Sequence, residues 1–145
     1  MATLEADVVI NQPVEKVFAF AADSDNDAKW QSGVIETKRT PAGPVGVGTK
    51  VTIVRTFLGQ RLESTYEITE YEPNKKTVFK STSGPVKFTG TQTFEAVAGG
   101  TRVGGTFEIV PGGFFKIAEP LFVSTAKKQG ESDFAKLKEV LEAMG

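Results

Sequence analysis

From Val34 to Val110 the chain reads as one strand after another, and after Pro111-Gly112-Gly113 its apolar residues change period from two to three and four. The strand-patterned runs cover residues 34–40, 49–58, 61–71, 77–82, 86–96 and 101–110. They are punctuated by a Pro/Gly loop over residues 41–48, by Gly59-Gln60, by Glu72-Pro73-Asn74-Lys75, by Ser83-Gly84-Pro85 and by Ala98-Gly99-Gly100. Connections this short favour antiparallel neighbours, and Gly59-Gln60 reads as a hairpin turn. Beyond Gly113, Phe114, Ile117, Ala118, Leu121, Phe122 and Thr125 recur at helical spacing, and Phe134, Leu137, Val140 and Leu141 resume it. This predicts one C-terminal helix of about 30 residues, roughly 45 Å long. Pro120 is expected to bend that helix and Gly130 to weaken it.

The N-terminal part supplies the remaining elements. Residues 4–11 alternate as a half-buried strand. Pro13 then opens a helix carrying Val14, Val17, Phe18 and Ala21, where a missing N–H costs nothing. Asp23-Ser24-Asp25-Asn26 interrupts it and offers caps to a second short helix over about 25–31, which carries Trp30. The order is one strand, two short helices, six strands and one long helix. A sheet must have its apolar face covered, and only the last helix is large enough. The expected fold is α+β: a curved antiparallel sheet of about seven strands gripping a long C-terminal helix, all in a single domain spanning residues 1–145.

Composition removes several functions. The chain has 17 basic and 18 acidic residues, and no basic run exceeds Lys75–Lys76 or Lys127–Lys128, so no nucleic-acid partner is expected. There is no cysteine and hence no disulfide framework. Glu5 and Asp7 sit where a secretory leader would be basic, and no apolar run approaches the ~20 residues that span a bilayer. A cytoplasmic protein without stable membrane insertion is expected. There is no histidine either, which excludes Ser-His-Asp and Cys-His machinery and leaves only carboxylates for a zinc site. No metal and no cofactor are expected. Acid–base chemistry near neutrality would need a perturbed Asp, Glu, Lys or Tyr. Asp23-Ser24-Asp25-Asn26-Asp27 fails as a calcium loop, because Ala28 stands at its sixth position and Val34 at its twelfth. Residues 43–48 lead into a strand and lack the lysine of a phosphate loop.

The order of elements, with its residues, resembles the START-like superfamily of helix-grip proteins, in its polyketide cyclase/dehydrase and lipid-transport branch. The matching pieces are Pro13 through Phe18, Asp23 through Trp30, Gly46-Val47-Gly48-Thr49, Glu70-Tyr71-Glu72-Pro73, Gly100-Thr101-Arg102-Val103 and Phe134 through Glu142. They are scaffold residues and so speak for the fold. The resemblance implies a cavity between sheet and helix. It also implies a hydrophobic small-molecule ligand such as a lipid or polyketide, or cyclisation or dehydration of such a molecule.

Strand alternation nominates the residues facing that cavity. Val51, Ile53, Arg55 and Phe57 share one face, and Leu62, Ser64, Tyr66 and Ile68 share the next. Phe79 and Ser81 follow, then Phe88, Gly90, Gln92 and Phe94, then Val103, Gly105, Phe107 and Ile109. The helix adds Phe114, Ile117, Ala118, Leu121, Phe122 and Thr125. The ligand-binding candidates are Arg55, Tyr66, Gln92, Phe57, Ser64, Phe79, Phe88, Phe107, Ile117, Leu121 and Phe122. Arg55, Tyr66 and Gln92 stand out because an inward polar group needs a partner, and a few polar groups in an apolar wall fix a ligand's orientation. Arg55 suits a carboxylate, phosphate or enolate; it would instead pair with Glu63 or Glu67 if the register slipped by one. Gly90 and Gly105 mark sheet curvature or room for a ligand. Trp30 reads first as an anchor for the short helices.

Three functions follow. The first is binding or carriage of a hydrophobic small molecule. The second is cyclase/dehydratase-type catalysis, with Arg55 and Tyr66 stabilising an enolate or donating a proton. The third is a protein-interaction module with a filled core, which an exposed apolar patch near residues 41–48 would support. A cavity under about 300 Å³ counts against the first two. A closed apolar cavity favours carriage, and converging acid and base groups favour catalysis.

Overall fold

β1, Ala2–Ile10, turns Leu4, Ala6 and Val8 inward and Glu5 and Asp7 outward, as its alternation requires. The computed structural model describes residues 2–112 and 114–144, without the side chains of Pro111, Phe114 and Phe115. β1 does not pair with the next strand. Its partner is β7, Gly100–Pro111, and the chain crosses to the far edge of the sheet before β2, Val34–Thr40, begins. β3 (Lys50–Phe57), β4 (Gln60–Glu72), β5 (Lys76–Ser83) and β6 (Val86–Val97) complete one antiparallel sheet ordered β1-β7-β6-β5-β4-β3-β2. Register shifts between Thr65 and Tyr66 and between Ile68 and Glu70 increase the local twist that curls such a sheet.

The crossing segment consists of α1 (Val14–Ala21), a 3₁₀ turn (Ser24–Asn26) and α2 (Asp27–Trp30). Pro13 is the residue just before α1, and its carbonyl accepts from Val17 N at 3.1 Å. The aspartates of this segment act as the failed calcium motif suggested. Asp23 Oδ1 caps the 3₁₀ turn through Asp25 N at 3.0 Å, and Arg39 ties Asp23 and Asp25 down at 2.8 and 3.0 Å.

The C-terminal helix differs from expectation. It is not one bent rod but two helices, α3 (Phe114–Ile117) and α4 (Glu119–Ala143), separated where Ala118 leaves helical geometry at φ −99°, ψ 27°. Pro120 lies in the first turn of α4, where its lack of an N–H costs nothing, so it starts a helix instead of bending one. The break resets the helical phase. Ile117 is 88% exposed and Leu121 59% exposed, so neither faces the sheet as the continuous pattern had placed them. The inward stripe instead runs through Phe122, Ala126, Asp133, Phe134, Leu137 and Leu141. Phe114's side chain lies outside the described set, as does Gly113.

α4 holds both ends of the sheet's concave face. One buried cluster joins Ile10, Val17, Phe18, Trp30, Phe94 and Val103 to Phe134, Leu137 and Leu141. The other joins Phe57, Val86 and Ile109 to Phe122. The end of α4 is pinned to β1 by polar contacts, with Lys138 Nζ donating to Val9 O at 2.8 Å and Asn11 N to Glu142 Oε2 at 2.9 Å. Among the described residues no helix is long and apolar enough to cross a membrane.

Candidate functional site

Between the two clusters the sheet and α4 do not meet, and a cavity of about 240 Å³ remains. Phe57 (β3), Ser64 and Tyr66 (β4), Phe79 (β5), Phe88 and Gln92 (β6), Phe107 (β7) and Phe122 (α4) all line it, together with Arg55. Ile117 and Leu121 do not. Phe94 and Val103 share the inward face but are consumed by the first cluster. The volume is under the ~300 Å³ from which drug-sized pockets usually start, which counts against carriage or conversion of a drug-sized molecule and leaves room only for a compact one.

Eight of the 27 residues that line the cavity are aromatic: Trp30, Phe57, Tyr66, Phe79, Phe88, Phe107, Phe122 and Phe134. Tyr66 packs against Phe79 at 5.0 Å between ring centroids and against Phe88 edge-on at 6.2 Å, while Phe79 meets Phe107 at 5.8 Å. Phe57 meets Phe122 edge-on at 4.8 Å. Gly90 exists to allow this: a Cβ there would overlap the Phe79 ring and come within 2.9 Å of Phe107 Cε1. At Gly105 a Cβ would meet Phe134 Cζ at 2.9 Å. Both glycines make room for the protein's own rings.

The rest of the wall mixes aliphatic residues such as Leu4, Ile53, Leu62, Ile68 and Ile109 with polar ones that include Arg55. Pairing with Val34 on β2 and Leu62 on β4 fixes its register, and its side chain faces the cavity. Neither Glu63 nor Glu67 pairs with it, and among the described residues it forms no salt bridge. Its Nη2 donates to Gln31 Oε1 at 3.4 Å. Burial pulls the guanidinium below its ordinary range, against the opposing pull of the Asp27 and Asp133 carboxylates.

Asp27 and Asp133 were missed in the sequence. Asp27 is 5% exposed, and burial pushes its carboxyl up to about 8, with Arg55 opposing and Asp23 and Asp25 adding to the rise. It therefore carries a proton at neutral pH. Asp133 is also raised by burial, but its Oδ1 already accepts from Ser32 N at 2.9 Å and Ser32 Oγ at 3.0 Å. Burial raises the Tyr66 phenol as well, which keeps it protonated. Trp30 and Ser24 also contribute to the lining, but their Nε1 and Oγ atoms are themselves enclosed by protein and have no hydrogen-bond partner among the described residues. Asp27 and Trp30 sit three apart on α2, on one helical face, which is the signal that could have paired them.

A family model described as polyketide cyclase / dehydrase and lipid transport matches residues 1–142. No curated protein sequence matches the chain. Solved structures do. TTHA0849 from Thermus thermophilus superposes with a TM-score of 0.85 at 22% identity, covering 99% of each chain. The Zhui aromatase/cyclase from Streptomyces sp. R1128 superposes with a TM-score of 0.82 at 14% identity, covering 97% of this chain and 93% of its own. Ara h 8.0201 follows with a TM-score of 0.72 at 15% identity, covering 98% of each. These likenesses establish the helix-grip fold.

Proposed function

The chain belongs to the polyketide cyclase/dehydrase and lipid transport family, and from that premise we propose that it binds a compact, mainly apolar small molecule in the cavity between its sheet and α4, with the molecule's polar end at Arg55. One observation carries the reading: an aromatic-walled cavity survives between two well-packed clusters, although closer approach of α4 would have filled it. The volume narrows the ligand to one or two rings or a short chain.

The test uses the chain's single tryptophan, Trp30, which lines the cavity. Naphthalene is expected to change Trp30 fluorescence saturably at 1:1 stoichiometry. Ser64→Phe adds a ring from the cavity-facing side of β4 and is expected to weaken binding at least tenfold while the circular dichroism spectrum is kept. Equal binding by the two proteins would move the ligand elsewhere.

A second reading is favoured by the polar groups at the Arg55 end. A carboxyl protonated at neutral pH beside a guanidinium is the pairing that enolate chemistry uses: Arg55 would hold the developing oxyanion and Asp27 would donate the proton. Under this reading a ligand recovered after incubation is altered; under the first it is returned unchanged.

A further inference from the structure

We propose that the space between Asp27 of α2 and Arg55 of β3 is a seat for a carbonyl oxygen, and that the ligand is a compact, neutral aromatic ketone; this rests on the small-molecule reading above and adds the ligand's chemistry to it. The inference starts from side chains that face one another without bonding. Asp27 is 5% exposed, and its carboxyl has no hydrogen-bond partner among the described residues. Asp27 and Arg55 both line the cavity and each shifts the other's ionisation, yet no N–O contact between them falls within the 4.0 Å of an ion pair. Tyr66 of β4 is close enough to feel both charges, and its hydroxyl bonds no described residue either. The partnerless polar atoms that protein encloses are Ser24 Oγ and Trp30 Nε1. The Asp27 oxygens and Tyr66 Oη are not among them, so they open on the cavity that their residues line.

What fits this space follows from charge and from donor count. Burial pushes the Asp27 carboxyl up to about 8, so it carries a proton at neutral pH, and burial keeps the Tyr66 phenol protonated too. Asp23 and Asp25, which Arg39 of β2 holds, add to the proton's retention on Asp27. Arg55 can only donate, and Gln31 Oε1 takes one long bond from it. Its charge is met by Asp133 of α4, whose ionised form the bonds from Ser32 N and Oγ favour. Guanidinium, carboxyl and phenol therefore each have a hydrogen to give, and the group as a whole is balanced in charge. A ligand cation would sit against Arg55. A ligand carboxylate would bring another acidic group to a guanidinium that Asp27 and Asp133 already face. A carbonyl oxygen adds no charge, and its two lone pairs accept from Arg55 on one side and Asp27 on the other. The ligand's body follows from Tyr66, Phe79 and Phe88, whose tilted and edge-on rings favour an aromatic neighbour.

The experiment compares 2-acetonaphthone with 2-ethylnaphthalene, which has the same shape without the oxygen, and with 2-naphthoate, by equilibrium dialysis. At pH 7 the wild-type protein is expected to bind the ketone at least threefold tighter than the more hydrophobic hydrocarbon and at least tenfold tighter than naphthoate. The ketone favours protonated Asp27, so its affinity should fall as pH rises through about 8, by at least tenfold between pH 7 and 10, while the hydrocarbon's changes less than threefold. Asp27→Asn keeps a donor that does not ionise and is expected to flatten that profile. Arg55→Met is expected to reverse the order of ketone and hydrocarbon. If the hydrocarbon binds and the ketone is no tighter, or naphthoate is the tightest, the carbonyl seat is wrong and the cavity reading stands. A ketone preference unchanged at pH 10 removes Asp27 from the seat and overturns the proposal as well. If none of the compounds binds, both readings fall. The wild-type comparison and its pH profile decide this even if a variant fails to fold.

Discussion

Asp27→Asn is expected to stabilise the protein at pH 8, by up to a few kcal/mol, and to change little near pH 4. In the unfolded chain Asp27 ionises near 3.8, and in the native protein near 8. Between those values the native state binds more protons than the unfolded state, so its stability falls as pH rises. Above pH 8 both states are ionised and the penalty is constant. The span sets an upper bound on the order of 5 kcal/mol, reduced by whatever relaxation or water entry the ionised carboxylate induces. Asparagine has nearly the same shape and cannot ionise, so the stability difference between variant and wild type should open between pH 4 and 8 and then level off. Urea unfolding at pH 5, 7 and 9 measures it. Parallel stability curves would mean that Asp27 is solvated and ionised like any surface carboxylate, and the acid assigned to the second functional reading would be lost with it.

Leu137→Ala is expected to be the most damaging of the scaffold changes. Leu137 is fully buried where α4 crosses the first cluster, against residues contributed by β1, α1 and α2. Deleting its side chain removes apolar contacts and leaves a void, at about 3–5 kcal/mol. A domain this size has roughly 5–15 kcal/mol in total, so thermal unfolding should shift down by about 10 °C or more. Leu137 does not line the cavity. Naphthalene affinity measured well below the transition should therefore stay within threefold of wild type. A loss under 1 kcal/mol would show that α4 is not what holds the sheet's concave face, and a large loss of affinity would show that cluster and cavity are not separate.

The strands were legible because their period is two and their turns carry glycine, proline and asparagine at short intervals. β2 begins and ends where the alternation placed it, and the inward faces of β3 and β4 fall as assigned, so Arg55, Ser64 and Tyr66 reach the cavity. Which strands pair was less legible. Period-two patterning says nothing about β1 joining β7, a contact about a hundred residues apart in sequence.

α4 was the hardest element to read, for a physical reason. Its inward stripe passes through Ala126, Gln129, Gly130 and Asp133, because that stretch lines a cavity and needs no large apolar side chains. An apolar-periodicity reading skips such a stretch and instead extends the pattern backward through Ile117 and Leu121, which the break at Ala118 turns outward. The same gap hid Asp133. Asp27 was hidden differently, since an aspartate beside a turn of aspartates looks like one more cap until Trp30, on the same face of α2, is seen to be buried with it.

The central claim is that the void between sheet and α4 is a site and not a packing defect. Native mass spectrometry of protein purified gently from its source tests it most directly, followed by denaturation and identification of whatever is released. The account predicts a stoichiometric adduct of one small organic molecule, of a size matching two rings or fewer, which Ser64→Phe protein does not carry. Protein that purifies without an adduct, and that gains none when incubated with a small-molecule extract of the same source, would contradict it.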